Sequence, residues 1–343
     1  MKRFFKFAGI ALAAAMCVTT LVAGVGCSQK DTIAVIAKGE THAFWQAVKK
    51  GAQDAGKEYG YRVTFAGPGG ESESYVPDQM EKLNAALGNK STKALVIATI
   101  GPGFKSQLAS CYDRGIPVVE FDSGLYDNGV DITEGKNPVI GSVATDNSAA
   151  AAVVAENFYN YLKTNNKLVA GTTFKLGIIQ HDNTQTGIDR QTGFKAKFET
   201  LAAADGYTVD VQVDQRTNDD GAYRLALQSL KNKGVNAVYM TNEGVVKEVA
   251  AEVSQSLNTY KDIVFAGFDC GQNQYDWIMN KGNKYPLLVG SVAQDSYNIG
   301  YKSVEMAAKK LKGETFESKV GIAGRWYDST NIDQLLKDNI FYL

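Results

Sequence analysis

The chain has 343 residues, 44% of them hydrophobic and 21% charged, and its 36 basic and 37 acidic residues leave a formal charge of -1. That length exceeds what one hydrophobic core usually serves, so two domains are expected, and the composition is that of a globular rather than a disordered chain. The charge balance excludes the basic surplus of a nucleic-acid binder, and two histidines, His42 and His181, with four cysteines leave little material for a zinc site.

At the amino terminus Lys2, Arg3 and Lys6 precede an apolar stretch from Phe7 to Gly26, the charged and apolar regions of an export signal. Small residues Ala23, Gly24 and Gly26 lead into Cys27, after which Ser28-Gln29-Lys30 turns polar. The pattern resembles a bacterial lipoprotein signal, with Gly24 where that family prefers Leu. It implies lipidation of Cys27, removal of residues 1–26 and a short tether over residues 27–31. A leader cleaved without lipidation and a membrane-spanning helix are the alternatives. Two acyl chains on Cys27 are enough for stable attachment to a membrane surface, whereas one short chain is marginal. Loss of the three basic residues of the leader takes the formal charge from -1 to -4.

From Thr32 onward, short apolar runs alternate with amphipathic segments. The runs at Thr32–Ala37, Arg62–Phe65, Ala94–Ala98, Pro117–Phe121 and Val139–Val143 are predicted strands. So are Lys175–Gln180, Thr208–Val213, Ala237–Met240, Val264–Phe268 and Leu287–Val292. Gly, Asp and Asn flank them, as turn chemistry requires. Between the first two, Phe44, Ala47, Val48, Gly51, Ala52 and Ala55 fall on one face of a helix. Further helices are predicted around Ala149–Leu162 and Tyr297–Leu311. Strict alternation of strand and helix predicts parallel sheets covered on both faces. The length favours two sheets of about five strands each. No segment reads as a flexible linker. Cys111 and Cys270 are read as two buried thiols, with a disulfide between them as the alternative for an exported chain.

Ligands of such sheets bind beyond the carboxyl ends of the strands. There the chain carries Asp122, Arg190, Asn242, Asp269 and Gln294. One such residue alone would be read as a helix cap, but a recurring set of planar polar groups can pair with neighbouring hydroxyls of a polyol. After the first strand, Phe44-Trp45 offers either one buried and one exposed ring, a flat face for a sugar's C–H side, or two core rings. No nucleophile is paired with a base in this set. Gly67-Pro68-Gly69-Gly70 and Gly101-Pro102-Gly103 lack the spacing of a phosphate-cradling loop. His181-Asp182-Asn183 has no nucleophile elbow with it and is read as a solvated cleft loop.

These segments, in their order and spacing, resemble the ribose/galactose-type sugar-binding proteins of bacterial ABC importers. They include Phe44-Trp45-Gln-Ala-Val, Gly115 to Gly124, Val143 to Asn147, Arg190 to Phe194, Gly267-Phe-Asp269 and Gly290 to Gln294, and the likeness spans residues 31–343. The resemblance implies an α/β fold of two doubly wound parallel-sheet lobes joined by three hinge crossings (the type 1 periplasmic binding protein fold), with crossings near Asp146, Gln294 and Arg325. It implies an N-terminal lobe of residues 32–145 and 295–324, and a C-terminal lobe of residues 146–294 and 325–343. By position it implies ligand contacts at His42, Phe44, Trp45, Asp122, Ser123, Arg190, Asn242, Asp269 and Gln294. Ser123 stands where ribose binders have an arginine, Ala98 where they have an asparagine, and Arg216-Thr217-Asn218 near their second-lobe aromatic. The calcium-loop spacing of the galactose binders is absent.

The function so implied is an extracytoplasmic solute-binding lipoprotein. It would be a monomer without cofactor or metal that captures a neutral sugar or polyol and delivers it to an ABC transporter permease. A sugar-sensing co-receptor for a membrane kinase or chemoreceptor is the alternative on the same fold. An enzyme lacks its cofactor loop and nucleophile, and a repressor would need a DNA-binding helix pair where the export signal stands.

Overall fold

A computed structural model describes residues 30–125, 129–132, 135–216, 221–280 and 282–337. The leader, Cys27 and residues 217–218 lie outside the described residues. The chain runs through β1 (Thr32–Ile36), α1 (Ala43–Tyr59), β2 (Arg62–Ala66), α2 (Val76–Gly88), β3 (Thr92–Ile97), α3 (Lys105–Asp113), β4 (Val118–Phe121) and β5 (Val139–Thr145). It continues with α4 (Asn147–Thr164), β6 (Thr173–Gln180), α5 (Gln185–Ala204), β7 (Thr208–Gln215), α6 (Ala222–Asn232), β8 (Ala237–Met240), α7 (Glu243–Gln255), α8 (Leu257–Tyr260), β9 (Val264–Ala266) and α9 (Gln272–Met279). Last come β10 (Ser291–Ala293), α10 (Ser296–Lys312), β11 (Lys319–Ile322), β12 (Arg325–Tyr327) and α11 (Ile332–Lys337).

Two parallel sheets form, ordered β11-β5-β4-β3-β1-β2 and β7-β6-β8-β9, so the expected two-lobed α/β architecture is present. The central strands of each are buried on both faces, as alternating helices require. In β1, Ile33 and Val35 join one core and Ala34 and Ile36 the other. In β8, Ala237 and Tyr239 face one core while Val238 and Met240 face its counterpart. Helices begin where side chains can cap them: His42 accepts from Phe44 N–H and Asn242 from Val245 N–H, while Asp146 and Asp295 do the same for α4 and α10.

The strand count departs from five and five. The first sheet gains β11, paired with β5 from Lys319↔Ser142 to Ile322↔Thr145. Its sequence, Lys-Val-Gly-Ile, is too short and too weakly apolar to read as a strand; the open edge of β5 organises it. The Leu287–Val292 run does not form one strand. Leu288 makes a single parallel bridge to Phe265, and regular pairing starts at Ser291, antiparallel to β12. Gly290 permits this turn of partner, because a Cβ there would sit 2.4 Å from the Tyr327 carbonyl oxygen. Cys111 and Cys270 are buried thiols in different cores, with no disulfide between them.

Between the sheets the chain passes at Asp146, at Gln294-Asp295 and between Ile322 and Arg325. The β10–β12 ribbon joins two of these passages. Val292 and Trp326 pack into the core of the second lobe, while Ala293 and Tyr327 pack into that of the first. No helix among the described residues is long and apolar enough to cross a membrane.

Candidate functional site

A cleft of about 880 Å³ opens between the two lobes, within the range of roughly 300–1,000 Å³ typical of small-molecule sites. All nine residues expected at the site line it. The first lobe supplies His42, Phe44, Trp45, Asp122 and Ser123, from the segments after β1 and β4. Arg190, Asn242 and Asp269 come from the second lobe, and Gln294 from a crossing.

The two aromatic rings do not divide into one buried and one exposed. Phe44 is 7% and Trp45 2% exposed. They pack edge to face with centroids 4.7 Å apart, and the Trp45 indole N–H donates to Glu71 Oε1 at 2.7 Å. Both rings belong to the first-lobe core, although each also lines the cleft.

Asp122 and Asp269 follow β4 and β9 in matching segments, Phe121-Asp122-Ser123-Gly124 and Phe268-Asp269-Cys270-Gly271. Both adopt left-handed backbone, with φ of 64° and 69°, a conformation costly for non-glycine residues and concentrated at functional sites. Asp269 accepts from the Glu243 backbone N–H at 3.0 Å, from Gln294 Nε2 and from Arg190 Nη1 at 3.5 Å. Arg190 is fixed on three sides. Its guanidinium lies 3.9 Å from the Phe268 ring centroid, Nε donates to Asn147 Oδ1 at 2.8 Å, and Nη1 also donates to the Thr241 carbonyl at 3.0 Å. Asn242 both caps α7, through Val245 N–H at 2.8 Å, and lines the cleft. Only its Oδ1 is used by the cap, so capping and ligand binding are compatible roles.

The structure adds Lys38, Asn147 and Glu243 to the cleft, and it places His181 of the expected cleft loop there as a buried rather than a solvated side chain. Lys38, two residues beyond β1, is 2.8 Å from Asp122 Oδ2 and donates to Ser123 Oγ at 2.7 Å. Burial opposes the ammonium charge, but Asp122 overcomes that effect and the Lys38 pKa lies above its ordinary value. A lysine held protonated is no base for the Ser123 hydroxyl, so this pair does not make a nucleophile. His181 is buried, which pushes its pKa down to about 4, with the nearby Arg190 charge adding to the effect. The Thr241 hydroxyl donates to the Ile179 carbonyl and lies 2.7 Å from His181 Nδ1. On the other side of the ring, His181 Nε2 lies 3.5 Å from Asp182 Oδ1. His42 and Glu243 meet across the cleft, Nε2 to Oε2 at 3.1 Å. The strand-end rule that singled out Asp122 also applies to Lys38 and His181, each one or two residues beyond a strand.

Two doubly wound lobes, three chain passages and a polar cleft at the strand ends define a two-lobed solute-binding protein. The chain belongs to the periplasmic binding protein family, whose description, Periplasmic binding protein domain, matches residues 33–315. It is 24% identical over 298 residues to the ribose import binding protein RbsB of Haemophilus influenzae, covering 86% of this chain and 90% of that protein. Among solved structures it is similar to one described as an ABC transporter, LacI family transcriptional regulator from Brachyspira murdochii. That match has a TM-score of 0.78 and 32% identity, and it covers 92% of this chain and 99% of that one. An ABC transporter solute-binding protein from Agrobacterium vitis, bound with alpha-D-tagatopyranose, aligns with a TM-score of 0.70 at 21% identity, over 92% of this chain and 100% of that one.

Proposed function

We propose that the protein is an extracytoplasmic solute-binding lipoprotein that captures a neutral monosaccharide or polyol between its lobes and hands it to an ABC transporter permease. The carrying observation is the convergence of planar polar groups from both lobes on one cleft: Asp122 from one side, and Arg190, Asn242 and Asp269 from the other. Each offers paired donors or acceptors to vicinal hydroxyls. The import role of the Haemophilus influenzae relative supports the reading. The lobes that close are residues 32–145 with 295–324, and 146–294 with 325–343, and Cys27 carries the lipid. His42, Phe44, Trp45, Ser123 and Gln294 complete the contact set.

Charge sets the class of cargo. Lys38 neutralises Asp122, and Arg190 faces Asp269. Glu71, Glu73, Asp182 and Glu243 also line the cleft, so its field disfavours an anionic ligand. The protein binds and releases its cargo unchanged.

A thermal-shift screen of the chain against pentoses, hexoses, polyols and disaccharides tests the reading. A ligand at 100 times its dissociation constant adds about 2.7 kcal/mol, a shift of several degrees. Stabilisation by an organic acid or a nucleoside alone would overturn it.

A further inference from the structure

The Asp269 carboxylate reaches the cleft from a left-handed backbone, with φ of 69°. A non-glycine residue keeps such a conformation only where its surroundings over-determine it. Here the hold falls on the Asp269 carbonyl. It accepts from Ser291 Oγ at 2.7 Å and from Tyr327 Oη at 2.8 Å, which engages both of its lone pairs. Burial raises the Tyr327 pKa well above its ordinary value, so the phenol keeps its proton and donates. Ser291 and Tyr327 are both fully buried. They stand directly opposite each other in the antiparallel β10–β12 pair, so their side chains leave the same face of the ribbon. The Tyr327 ring is seated in the first-lobe core, and so is Cys270, the residue after Asp269. Strand β9, just before Asp269, belongs to the sheet of the second lobe. One cross-strand pair thus ties a cleft-facing carboxylate of the second lobe to the ribbon between the lobes.

We propose that Ser291 and Tyr327 are positioning residues for cargo binding, whose hydroxyls hold the Asp269 backbone in the conformation that aims its carboxylate into the cleft. The proposal rests on the sugar reading of that cleft. Neither residue is among those lining it, so both act through Asp269. With one hydroxyl removed, the Asp269 backbone relaxes toward ordinary conformations, from which its carboxylate no longer meets Arg190, Gln294 and the cargo together. Affinity then falls with the fraction of molecules that still hold the competent conformation.

The experiment is calorimetric titration of the wild type, Tyr327→Phe, Asp269→Asn and the double variant. The probe is whichever of D-ribose, D-galactose, D-fructose and myo-inositol the wild type binds most tightly. Tyr327→Phe is expected to lose roughly tenfold in affinity, and Asp269→Asn, which tolerates the same backbone, at least as much. The double variant is expected to bind as Asp269→Asn does, because a hold on the carboxylate has no effect once the carboxylate is gone. A merely structural tyrosine would weaken the double variant by its full factor again. Such additivity overturns the proposal, as does wild-type affinity in Tyr327→Phe or in Asp269→Asn, and each of these results leaves the sugar reading standing. Where Asp269→Asn binds too weakly to measure, monodeoxy derivatives of the sugar give the answer. Tyr327→Phe is then expected to shrink the penalty for losing one or two hydroxyls, those that Asp269 reads, and to leave the others as they are. Penalties unchanged throughout the series overturn the proposal. Should Tyr327→Phe fail to fold, Ser291→Ala is judged by the same cycle. A wild type that binds none of the four overturns the sugar reading for this panel and the proposal with it.

Discussion

Asp122 and Asp269 hold a backbone conformation that costs roughly 1–3 kcal/mol where a side chain is strained by it, and the carboxylate is what their positions offer in return. Replacing either by Ala is expected to lower sugar affinity by about 1.5–3 kcal/mol, the range for a charged hydrogen bond. Titration calorimetry on both variants reads this directly, and unchanged affinity in both would remove them from the site. His181 gives a pH dependence of known sign. Its folded pKa, about 4, lies below the unfolded value near 6.5, so the unfolded state binds the proton first. Its contribution is complete above pH 6.5 and is lost as pH falls toward 4, on the order of a few kcal/mol. Urea midpoints measured from pH 7 to 4 are expected to fall more steeply for the wild type than for His181→Asn. The polar strand-end residues were legible because residue type and position coincided. Lys38 shared the position but not the residue type, since a lysine before a helix reads as a solvated charge until the Asp122 carboxylate is found 2.8 Å away.

Helices α1 and α10 cross at a pair of glycines. A Cβ on Gly51 would lie 2.0 Å from the Tyr297 carbonyl oxygen, and one on Gly300 2.0 Å from that of Val48. Both obstacles are backbone, so no side chain can swing aside. Gly300→Ala is therefore expected to destabilise the first lobe by about 1–3 kcal/mol or more, seen as a lowered urea midpoint. The same substitution at Gly88, where a Cβ meets nothing within 4 Å, is expected to be benign. The same device recurs in the second lobe, where Gly193 on α5 approaches the Ser148 carbonyl of α4. Helix periodicity showed α1 and α10 in the sequence, but nothing in either pattern paired them. Strands buried on both faces were equally legible from their apolar runs, whereas β11 and β12 begin with Lys319 and Arg325 and owe their form to the edges they meet.

Across the whole molecule, Gln294 links the cleft to the chain passages. Its Oε1 accepts from Thr145 Oγ1 at 2.7 Å, at the end of β5, while its Nε2 donates to Asp269. A ligand that draws on Asp269 thereby acts on groups at two passages. Gln294→Ala is expected to weaken sugar binding and to reduce the ligand-induced compaction seen by small-angle scattering. Unchanged compaction would confine Gln294 to a local role. The expected crossings were read from a family likeness and not from composition, because no proline- or glycine-rich break marks them.

The return of the chain also governs the order in which the molecule is completed. Strand β11 closes the edge of the first sheet against β5, and α10 covers α1, yet both lie beyond residue 295. During synthesis the side of α1 that α10 will cover stays open until the second lobe has been made almost in full. The first sheet receives its last strand only after the second sheet is complete, so this long-range pairing, of the slow kind, falls late in translation.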